Sequence, residues 1–342
     1  MGELKVGDDV FNVEVEGRED APVLVLSNSL GTNLHMWDGQ MPELTRHFRV
    51  VRYDSRGHGG SAAPDRPYSV EELGRDALGL MDALGVEKAR WMGLSKGGMV
   101  GQWLLTHAPE RIERAVLANT AAQAGSPDAW NERIRTVRRD SMAPVAPGVI
   151  DRWFTKDFQE RDPQAIEKIS AMLRATPPQG YAGCVAAIRD MDQREAIRAA
   201  DTPVLVIVGR HDLATPPEAG ALIAKAIPGA ELVELDAAHL SNVEQERSFT
   251  DAVTAFLLRN DRAEPHVRRA HARRTVKKAK SAKAVRKTVK KAVKKAIKKA
   301  AKSVKKALKK AAKKSVKKAA KKAGKRLASF DRTGRPIRGR TR

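Results

Sequence analysis

The sequence predicts an α/β protein with a mostly parallel sheet that is covered by helices on both faces. Continuous apolar runs at residues 23–26 and 204–208 are typical of strands that are buried on both sides. Amphipathic helical patterns lie between such runs, for example at residues 97–107. Because strand and helix patterns alternate along the chain, parallel strands joined by crossover helices are the expected arrangement.

The predicted elements follow one another in a regular order. Short β-rich runs predict strands at residues 11–15, 23–26, 49–53, 89–94, 115–118, 204–208 and 232–235. The first run alternates apolar and polar residues, so we expect it to form an edge strand of the sheet. Helical periodicity predicts helices at residues 70–84, 97–107, 218–226 and about 248–258.

The alternation stops between about residues 126 and 200. This stretch is helical in pattern and has charged faces. It also contains several helix breakers: Pro144, Pro147, Pro177 and Pro178. Since the strand pattern resumes directly afterwards, we expect a helical cap inserted over the sheet. The predicted organisation is a domain at residues 1–260 that includes this cap, followed by a tail at residues 261–342.

The two predicted parts differ sharply in charge. Residues 261–342 hold 35 basic and 3 acidic residues, a net charge of +32. Residues 1–260 hold 29 basic and 38 acidic residues, a net charge of −9. This distribution excludes a uniformly basic nucleic-acid-binding protein and indicates a mildly acidic globular part with a cationic tail.

The tail is rich in Lys and Ala and has no acidic residue between Pro265 and Phe330. Branched apolar residues recur at helical spacing from Val285 to Val316, but like charges four residues apart oppose an isolated helix. We expect a disordered tail that becomes helical on a polyanion. It resembles the tails of linker-histone-like bacterial proteins and of some polyester-granule proteins.

These features predict non-specific binding of DNA or another polyanion through residues 266–342. An anionic membrane or granule surface is one alternative, because apolar residues recur opposite the lysines. A tail without any partner is the other alternative. We expect a cytoplasmic protein, associated with the nucleoid if the tail binds DNA.

Several site classes are excluded or not predicted. The single cysteine, Cys184, excludes an intramolecular disulfide and a Cys-rich zinc site. The sequence shows neither an apolar stretch long enough to span a membrane nor an N-terminal secretory pattern. No cofactor or metal site is predicted.

The segment Gly93-Leu94-Ser95-Lys96-Gly97 is the strongest local signal for chemistry. It follows a predicted strand and opens a predicted helix, which is the context of the nucleophile elbow of α/β hydrolases. In this fold the acid and the histidine follow the serine in that order. Asp212 and His239 each come shortly after a predicted strand, where parallel sheets carry their sites. We therefore predict a triad of Ser95, Asp212 and His239.

Other residues compete for these roles. His58 precedes the serine, which is the wrong order, so we interpret it as structural. His211 is adjacent to Asp212, but choosing it would leave His239 without a role. Asn119 follows a predicted strand at which some members of this fold place their acid. Because an amide has no charge to stabilise an imidazolium, Asp212 is the better candidate.

An oxyanion needs two fixed N–H donors. The backbone N–H of Lys96, next to the nucleophile at the start of a helix, is one candidate. The loop after residues 23–26 supplies the other, and we assign the backbone N–H of Leu30. The alternative is that this loop merely turns the chain.

Together these motifs resemble the 3-oxoadipate enol-lactonases, α/β hydrolases of the β-ketoadipate pathway. The resemblance covers about residues 3–260. It is carried by Asn28-Ser29-Leu30-Gly31-Thr32, Trp37, Tyr53-Asp54-Ser55-Arg56-Gly57-His58-Gly59, the elbow and His239-Leu240-Ser241-Asn242-Val243-Glu244. Asn28 and Ser29 replace the His-Gly pair that is common in the superfamily, as in this family. The cationic tail has no counterpart there.

The resemblance implies hydrolysis of an enol-lactone to 3-oxoadipate through an acyl-enzyme on Ser95. The substrate carries a carboxylate, so the cap should supply a cation. Arg152, beside Trp153, is the first candidate and Arg189 the second, while Ser29 is a further substrate-binding candidate. The alternatives are another ester hydrolase, a C–C bond hydrolase, a haloperoxidase-like enzyme, or a protein whose main function lies in its tail. Epoxide hydrolases and haloalkane dehalogenases are disfavoured, because they use Asp where Ser95 stands.

Overall fold

A computed structural model describes residues 2–259 of the chain, and the predictions for the tail lie outside these residues. Within the described range, eight strands form one sheet. They are Gly2–Val6 (β1), Asp9–Glu16 (β2), Val23–Ser27 (β3), Arg49–Tyr53 (β4), Ala89–Leu94 (β5), Ile112–Ala118 (β6), Val204–Gly209 (β7) and Glu231–Leu235 (β8).

The strand order across the sheet is β1-β2-β4-β3-β5-β6-β7-β8. The pairs β1–β2 and β2–β4 are antiparallel, and all other neighbouring pairs in the described sheet are parallel. The central strands β3, β5, β6 and β7 are almost entirely buried, which explains their continuous apolar sequences. The predicted mostly parallel α/β sheet is confirmed.

One strand prediction was wrong. We expected residues 11–15 to lie at the edge, but β2 lies between β1 and β4. Strand β1 occupies the edge instead. Its sequence, Gly2–Val6, is short and mostly exposed, so it lacks the apolar run that marks the inner strands. Strand β1 can therefore be recognised only from its pairing with β2 in the structure.

The described residues form eleven α-helices, several of which pack against strands of the sheet. They are Met41–His47 (α1), Val70–Ala83 (α2), Lys96–His107 (α3), Pro127–Asp140 (α4), Ala146–Trp153 (α5), Lys156–Arg161 (α6), Pro163–Ala175 (α7), Pro178–Asp190 (α8), Pro217–Ala226 (α9), Ser241–Glu244 (α10) and Glu246–Leu257 (α11). N-cap side chains determine where three of the helices begin. Those of Ser69, Thr155 and Asp162 accept hydrogen bonds from backbone N–H groups in the first turn. None of the helices among residues 2–259 is both long and apolar enough to cross a bilayer.

Helices α4 to α8, residues 127–190, are inserted between β6 and β7, and we call them the cap. Two ion pairs join the cap to other parts of the molecule: Lys168 to Asp38 at 2.8 Å and Arg138 to Asp65 at 2.6 Å. The backbone N–H of Leu240, in the loop after β8, also donates to a cap carbonyl at 3.1 Å. These contacts hold the cap next to the carboxyl ends of the parallel strands.

The carboxyl ends of β3, β5, β6, β7 and β8 lie along one edge of the sheet. The parallel register places Leu94 beside Ala118, Ala118 beside Ile207 and Gly209 beside Leu235. The loops that follow these strands therefore meet at this edge, where open α/β sheets carry their sites.

Candidate active site

Ser95 lies at the sharp turn between β5 and α3. Its backbone has φ 55° and ψ −113°, a left-handed conformation that strains a residue with a side chain. A Cβ on Gly93 would lie 2.1 Å from the Gly97 carbonyl oxygen, and a Cβ on Gly97 would lie 2.1 Å from the Ser27 carbonyl oxygen. The turn therefore requires glycine on both sides of the serine, as a nucleophile elbow does.

Asp212 and His239 form a buried hydrogen-bonded pair. His239 Nδ1 lies 2.8 Å from Asp212 Oδ2, and the two side chains are 2% and 0% exposed. Asp212 Oδ2 also accepts hydrogen bonds from Thr215 Oγ1 at 2.8 Å and Asn119 Nδ2 at 3.0 Å. Asp212 Oδ1 accepts from the backbone N–H groups of Ala214 and Thr215, both at 2.8 Å. The carboxylate is thus surrounded by donors.

These contacts determine the charge of Asp212. Burial alone would raise its pKa, but the adjacent His239 and the hydrogen bonds from Thr215 and Asn119 lower the pKa overall. The carboxylate is therefore ionised at neutral pH. An ionised partner at Nδ1 favours the tautomer with its proton on that atom, which leaves Nε2 able to act as a base.

Ser95 and His239 line one cavity, which has a volume of ≈ 220 Å³. Among residues 2–259, no hydrogen bond joins the Ser95 hydroxyl to the imidazole. Contacts between nucleophile and base are often long in unliganded enzymes and shorten when substrate binds. The Trp153 ring stacks on the His239 imidazole with centroids 5.9 Å apart, so the cap packs against this side chain.

Asn119 belongs to this site, although not as the acid. Its amide nitrogen donates to Asp212 and, at 3.1 Å, to the Ala238 carbonyl oxygen. Its amide oxygen accepts a hydrogen bond from the Ser241 hydroxyl at 2.6 Å. Asn119 therefore links the loops after β6, β7 and β8. Its position directly after a predicted strand was the only sequence signal for this role.

The competing histidines lie elsewhere. His211 is exposed and its Nε2 contacts Asp236 Oδ1 at 2.9 Å. His58 is fully buried, and its Nε2 accepts a hydrogen bond from the Gly31 N–H at 2.8 Å. Burial and the nearby charge of Lys96 lower the pKa of His58 well below its ordinary value. His58 is therefore neutral and holds the loop after β3.

The two candidate oxyanion donors, Leu30 and Lys96, come from different segments of the chain. Leu30 is buried in the loop after β3 and lines the cavity, and among residues 2–259 no hydrogen bond occupies its N–H. Lys96 is the first residue of α3, so its N–H has no acceptor within the helix. The loop after β3 is tied to the elbow, because the Gly97 N–H donates to the Asn28 carbonyl oxygen at 3.1 Å.

The cap side of the cavity carries two guanidinium groups, those of Arg133 and Arg152. Neither of them forms an ion pair with a carboxylate among the described residues. Burial and the neighbouring positive charge of Arg133 lower the pKa of Arg152. Arg133 lies over the Trp130 ring at 5.4 Å, and its Nη1 is 3.5 Å from the Tyr181 hydroxyl.

The predicted substrate-binding residues divide into two groups. Ser29, Arg152 and Trp153 line the cavity. Arg189 is not among the residues that line it, and its guanidinium pairs with Asp190 at 2.6 Å and with Asn131 at 2.7 Å. Sequence reasoning missed Arg133. Its signal is a spacing of three residues from Trp130 on α4, which places both side chains on one helix face.

Comparison with known proteins identifies the family of the chain. Residues 22–246 match the family model of the alpha/beta hydrolase fold. The chain belongs to this alpha/beta hydrolase family. The hydrolase is 40% identical over 256 residues to 3-oxoadipate enol-lactonase 2 of Acinetobacter baylyi, a match that covers 75% of this chain and 96% of that protein.

Solved structures extend the comparison. The enol-lactonase from Burkholderia xenovorans is 44% identical to this hydrolase, with a TM-score of 0.75, over 75% of this chain and 100% of that one. A hydrolase from Pseudomonas aeruginosa is 48% identical, with a TM-score of 0.74, over 75% and 98% of the two chains. The chain is therefore an enol-lactonase-like alpha/beta hydrolase.

Proposed function

We propose that this hydrolase opens the enol-lactone of 3-oxoadipate by a serine mechanism. The observation that carries the proposal is the composition of one cavity: Ser95 and His239 on the sheet side, and Arg133 and Arg152 on the cap side. The first group suits attack on an ester, and the second suits an anionic substrate. Relatives named 3-oxoadipate enol-lactonase support the choice of lactone.

In the proposed first half-reaction, His239 Nε2 takes the Ser95 proton while Oγ attacks the lactone carbonyl carbon. The backbone N–H groups of Leu30 and Lys96 hold the resulting oxyanion. When the ring C–O bond breaks, the acyl group stays on Ser95 and the enol oxygen takes the proton from His239. Asp212 stabilises the imidazolium while it exists.

The second half-reaction releases the product. The enol formed by ring opening tautomerises to a ketone, which discourages reclosure of the ring. His239 then removes a proton from water, whose oxygen attacks the acyl carbon, and the Ser95 oxygen regains the proton as its bond to carbon breaks. The product is the dicarboxylate 3-oxoadipate, which would place the reaction in the β-ketoadipate pathway of aromatic catabolism.

The substrate keeps one free carboxylate, and the cap arginines are its proposed partners. Two unneutralised guanidinium groups attract an anion more strongly than one does, and a planar carboxylate can accept two parallel hydrogen bonds from such a group. The proposal therefore distinguishes an acidic lactone from a neutral ester of similar size.

An assay of the full chain on the enol-lactone tests the function. We expect turnover by the wild-type chain and a loss of kcat of about 10³-fold or more in Ser95→Ala. Ser248→Ala, which changes an exposed serine on α11, is the matched control and should keep full activity. Full activity of Ser95→Ala would exclude the mechanism. A folded wild-type chain that hydrolyses neutral esters but not the lactone would favour another ester hydrolase.

We also propose that residues 266–342 bind polyanions such as DNA. The net charge of +32 in residues 261–342 supports this second activity. Because such binding releases counterions, the affinity of the full chain for duplex DNA should fall by a factor of about 10³ or more between 50 and 200 mM salt. Binding to anionic vesicles that persists at the higher salt concentration, with no DNA binding, would favour the surface alternative.

A further inference from the structure

The hydroxyl of Ser29 is an unusual feature of the cavity. Ser29 is 1% exposed, and among residues 2–259 its Oγ atom has no hydrogen-bond partner. Burial of a hydroxyl without a partner costs free energy, so native proteins rarely retain one without a reason. Within the described range, Ser29 is the only residue that both has such an atom and lines the cavity.

The other polar atoms of Ser29 are occupied. Its N–H donates to the Met36 sulfur at 3.3 Å, and its carbonyl oxygen accepts from the Thr32 hydroxyl at 3.0 Å. Ser27, two residues earlier, shows the ordinary situation: it is equally buried, but its hydroxyl lies 3.1 Å from the Tyr53 hydroxyl. The loop thus holds the backbone of Ser29 in place, while its hydroxyl has no partner among the described residues.

Ser29 lines the same cavity as the nucleophile of the proposed mechanism, Ser95. Ser29 directly precedes Leu30, the candidate oxyanion donor, and both residues line the cavity with Ser95. The preceding residue, Asn28, accepts the hydrogen bond from Gly97 that ties this loop to the elbow. Arg133 and Arg152 lie on cap helices, whereas Ser29, Leu30 and Ser95 follow strands of the sheet.

We propose that the Ser29 hydroxyl is a third donor to the oxyanion, beside the N–H groups of Leu30 and Lys96. This inference rests on the proposed serine mechanism. A donor with no partner in the free enzyme gains one when charge develops on the carbonyl oxygen, so the interaction strengthens in the transition state. The unpaired hydroxyl lowers the free energy of unfolding of the free enzyme.

The test compares Ser29→Ala with Ser27→Ala in the full chain. Loss of an oxyanion donor should lower kcat of Ser29→Ala by about 10²-fold with KM unchanged. Its Tm should equal or exceed that of the wild type, because an unpaired buried polar group is removed. Ser27→Ala should show the reverse: an unchanged kcat and a lower Tm, since it breaks the buried contact with Tyr53.

Other outcomes would overturn the assignment. An unchanged kcat in Ser29→Ala would remove the hydroxyl from the reaction. A raised KM at constant kcat would assign it to ground-state binding instead. A fall of Tm together with kcat would indicate a structural role only. Both variants are also assayed on p-nitrophenyl acetate, so that the role of Ser29 and the identity of the substrate are tested separately. If the wild type cleaves this ester but not the lactone, the substrate proposal fails, and the effect of Ser29→Ala on kcat is still measured.

Discussion

The two sides of the cavity are built differently. On the sheet side, Asp212 and His239 are buried and the carboxylate accepts hydrogen bonds from four residues, with its geometry held by three strand-end loops. On the cap side, Arg133 and Arg152 are only partly buried, and within the described residues neither pairs with a carboxylate. On the sheet side, the negative charge of Asp212 is stabilised by donors within the protein. The cap side holds charge that an anion from outside can neutralise.

In the proposed function, the two sides of the cavity have separate tasks. Fixed donors around the buried carboxylate hold the imidazole in one orientation, so in the proposed mechanism the sheet side carries out the reaction on any ester. Unpaired guanidinium groups near each other repel one another, and such an arrangement is unfavourable without a ligand. In the proposed function, the cap side therefore selects the anionic substrate. Substitutions on the sheet side should lower kcat, whereas substitutions on the cap side should raise KM.

The largest expected effect is on the sheet side. Asp212→Asn keeps the shape of the side chain but removes the charge that stabilises the imidazolium, so kcat should fall by about 10³- to 10⁴-fold. Steady-state kinetics on the lactone measure this effect. Asp236→Asn, which changes an exposed acid beside His211, should leave kcat unchanged. Equal losses in the two variants would contradict the assignment of Asp212.

Substitution of a cap arginine should raise KM. Arg152→Gln removes one guanidinium, and KM for the acidic lactone should rise by about 10- to 10²-fold, the range expected for a charged hydrogen bond. The KM for a neutral ester should hardly change. Arg189→Gln, also in the cap but paired with Asp190 outside the cavity, is the control. An equal rise of KM for both substrates in Arg152→Gln would show that the arginine supports the fold rather than binding the anion.

The third prediction concerns pH and the loop that His58 holds. The native state keeps His58 neutral, because burial and Lys96 lower its pKa well below the ordinary value of 6.5. The unfolded chain takes up this proton as the pH falls below about 6.5, so the contribution of His58 to stability is present above that pH and is lost below it. The slope is at most about 1.4 kcal/mol per pH unit.

His58→Gln removes this titration while its side-chain oxygen can still accept the Gly31 N–H. The free energy of unfolding, measured in urea between pH 5 and 7.5, should therefore depend less on pH in the variant than in the wild type. His47→Gln changes a partly exposed histidine on α1 and serves as the control. Identical slopes for His58→Gln and the wild type would contradict a buried neutral imidazole.

The smallest effect is expected at Lys96. Its side chain is buried and, among residues 2–259, forms neither a hydrogen bond nor an ion pair. This burial lowers the pKa of its ammonium group. Lys96→Met fills the same space without a charge and should raise the free energy of unfolding by about 1 kcal/mol at pH 7.

The gain at Lys96 should shrink as the pH rises toward 10.5, the ordinary lysine value, because the native state then holds the neutral amine. The backbone N–H of residue 96 is retained, so kcat should change by less than about threefold. Lys88→Met, at an exposed position, is the control. A Lys96→Met chain that is less stable than the wild type would indicate that the ammonium has a stabilising role.

The inner fold was more predictable than its edge. Strands β3, β5, β6 and β7 are apolar throughout because both of their faces are covered, and this pattern is visible without coordinates. Strand β1 is short and exposed, and its membership of the sheet depends on pairing with β2. Consequently β1 was missed and β2 was wrongly placed at the edge.

In the candidate site, too, the local features were predictable from the sequence and the long-range contacts were not. The elbow of Gly93, Ser95 and Gly97 is local, and the order of the acid and the base after it follows the strand order. The contact of Asn119 with Asp212 and the exclusion of Arg189 from the cavity involve residues far apart in the chain. Local spacing carries no information about such contacts.

The sequence by itself determined the alternation of strands and helices, the glycine-flanked turn at Ser95 and the charge contrast between residues 1–260 and 261–342, because periodicity, steric demand and composition are properties of neighbouring residues. Only the tertiary structure decided that Arg133 rather than Arg189 reaches the cavity, and that the Ser29 hydroxyl is buried there without a partner among the described residues. The physical reason is that which side chains meet at a site depends on how distant segments pack, whereas the form of each segment depends mainly on its own residues.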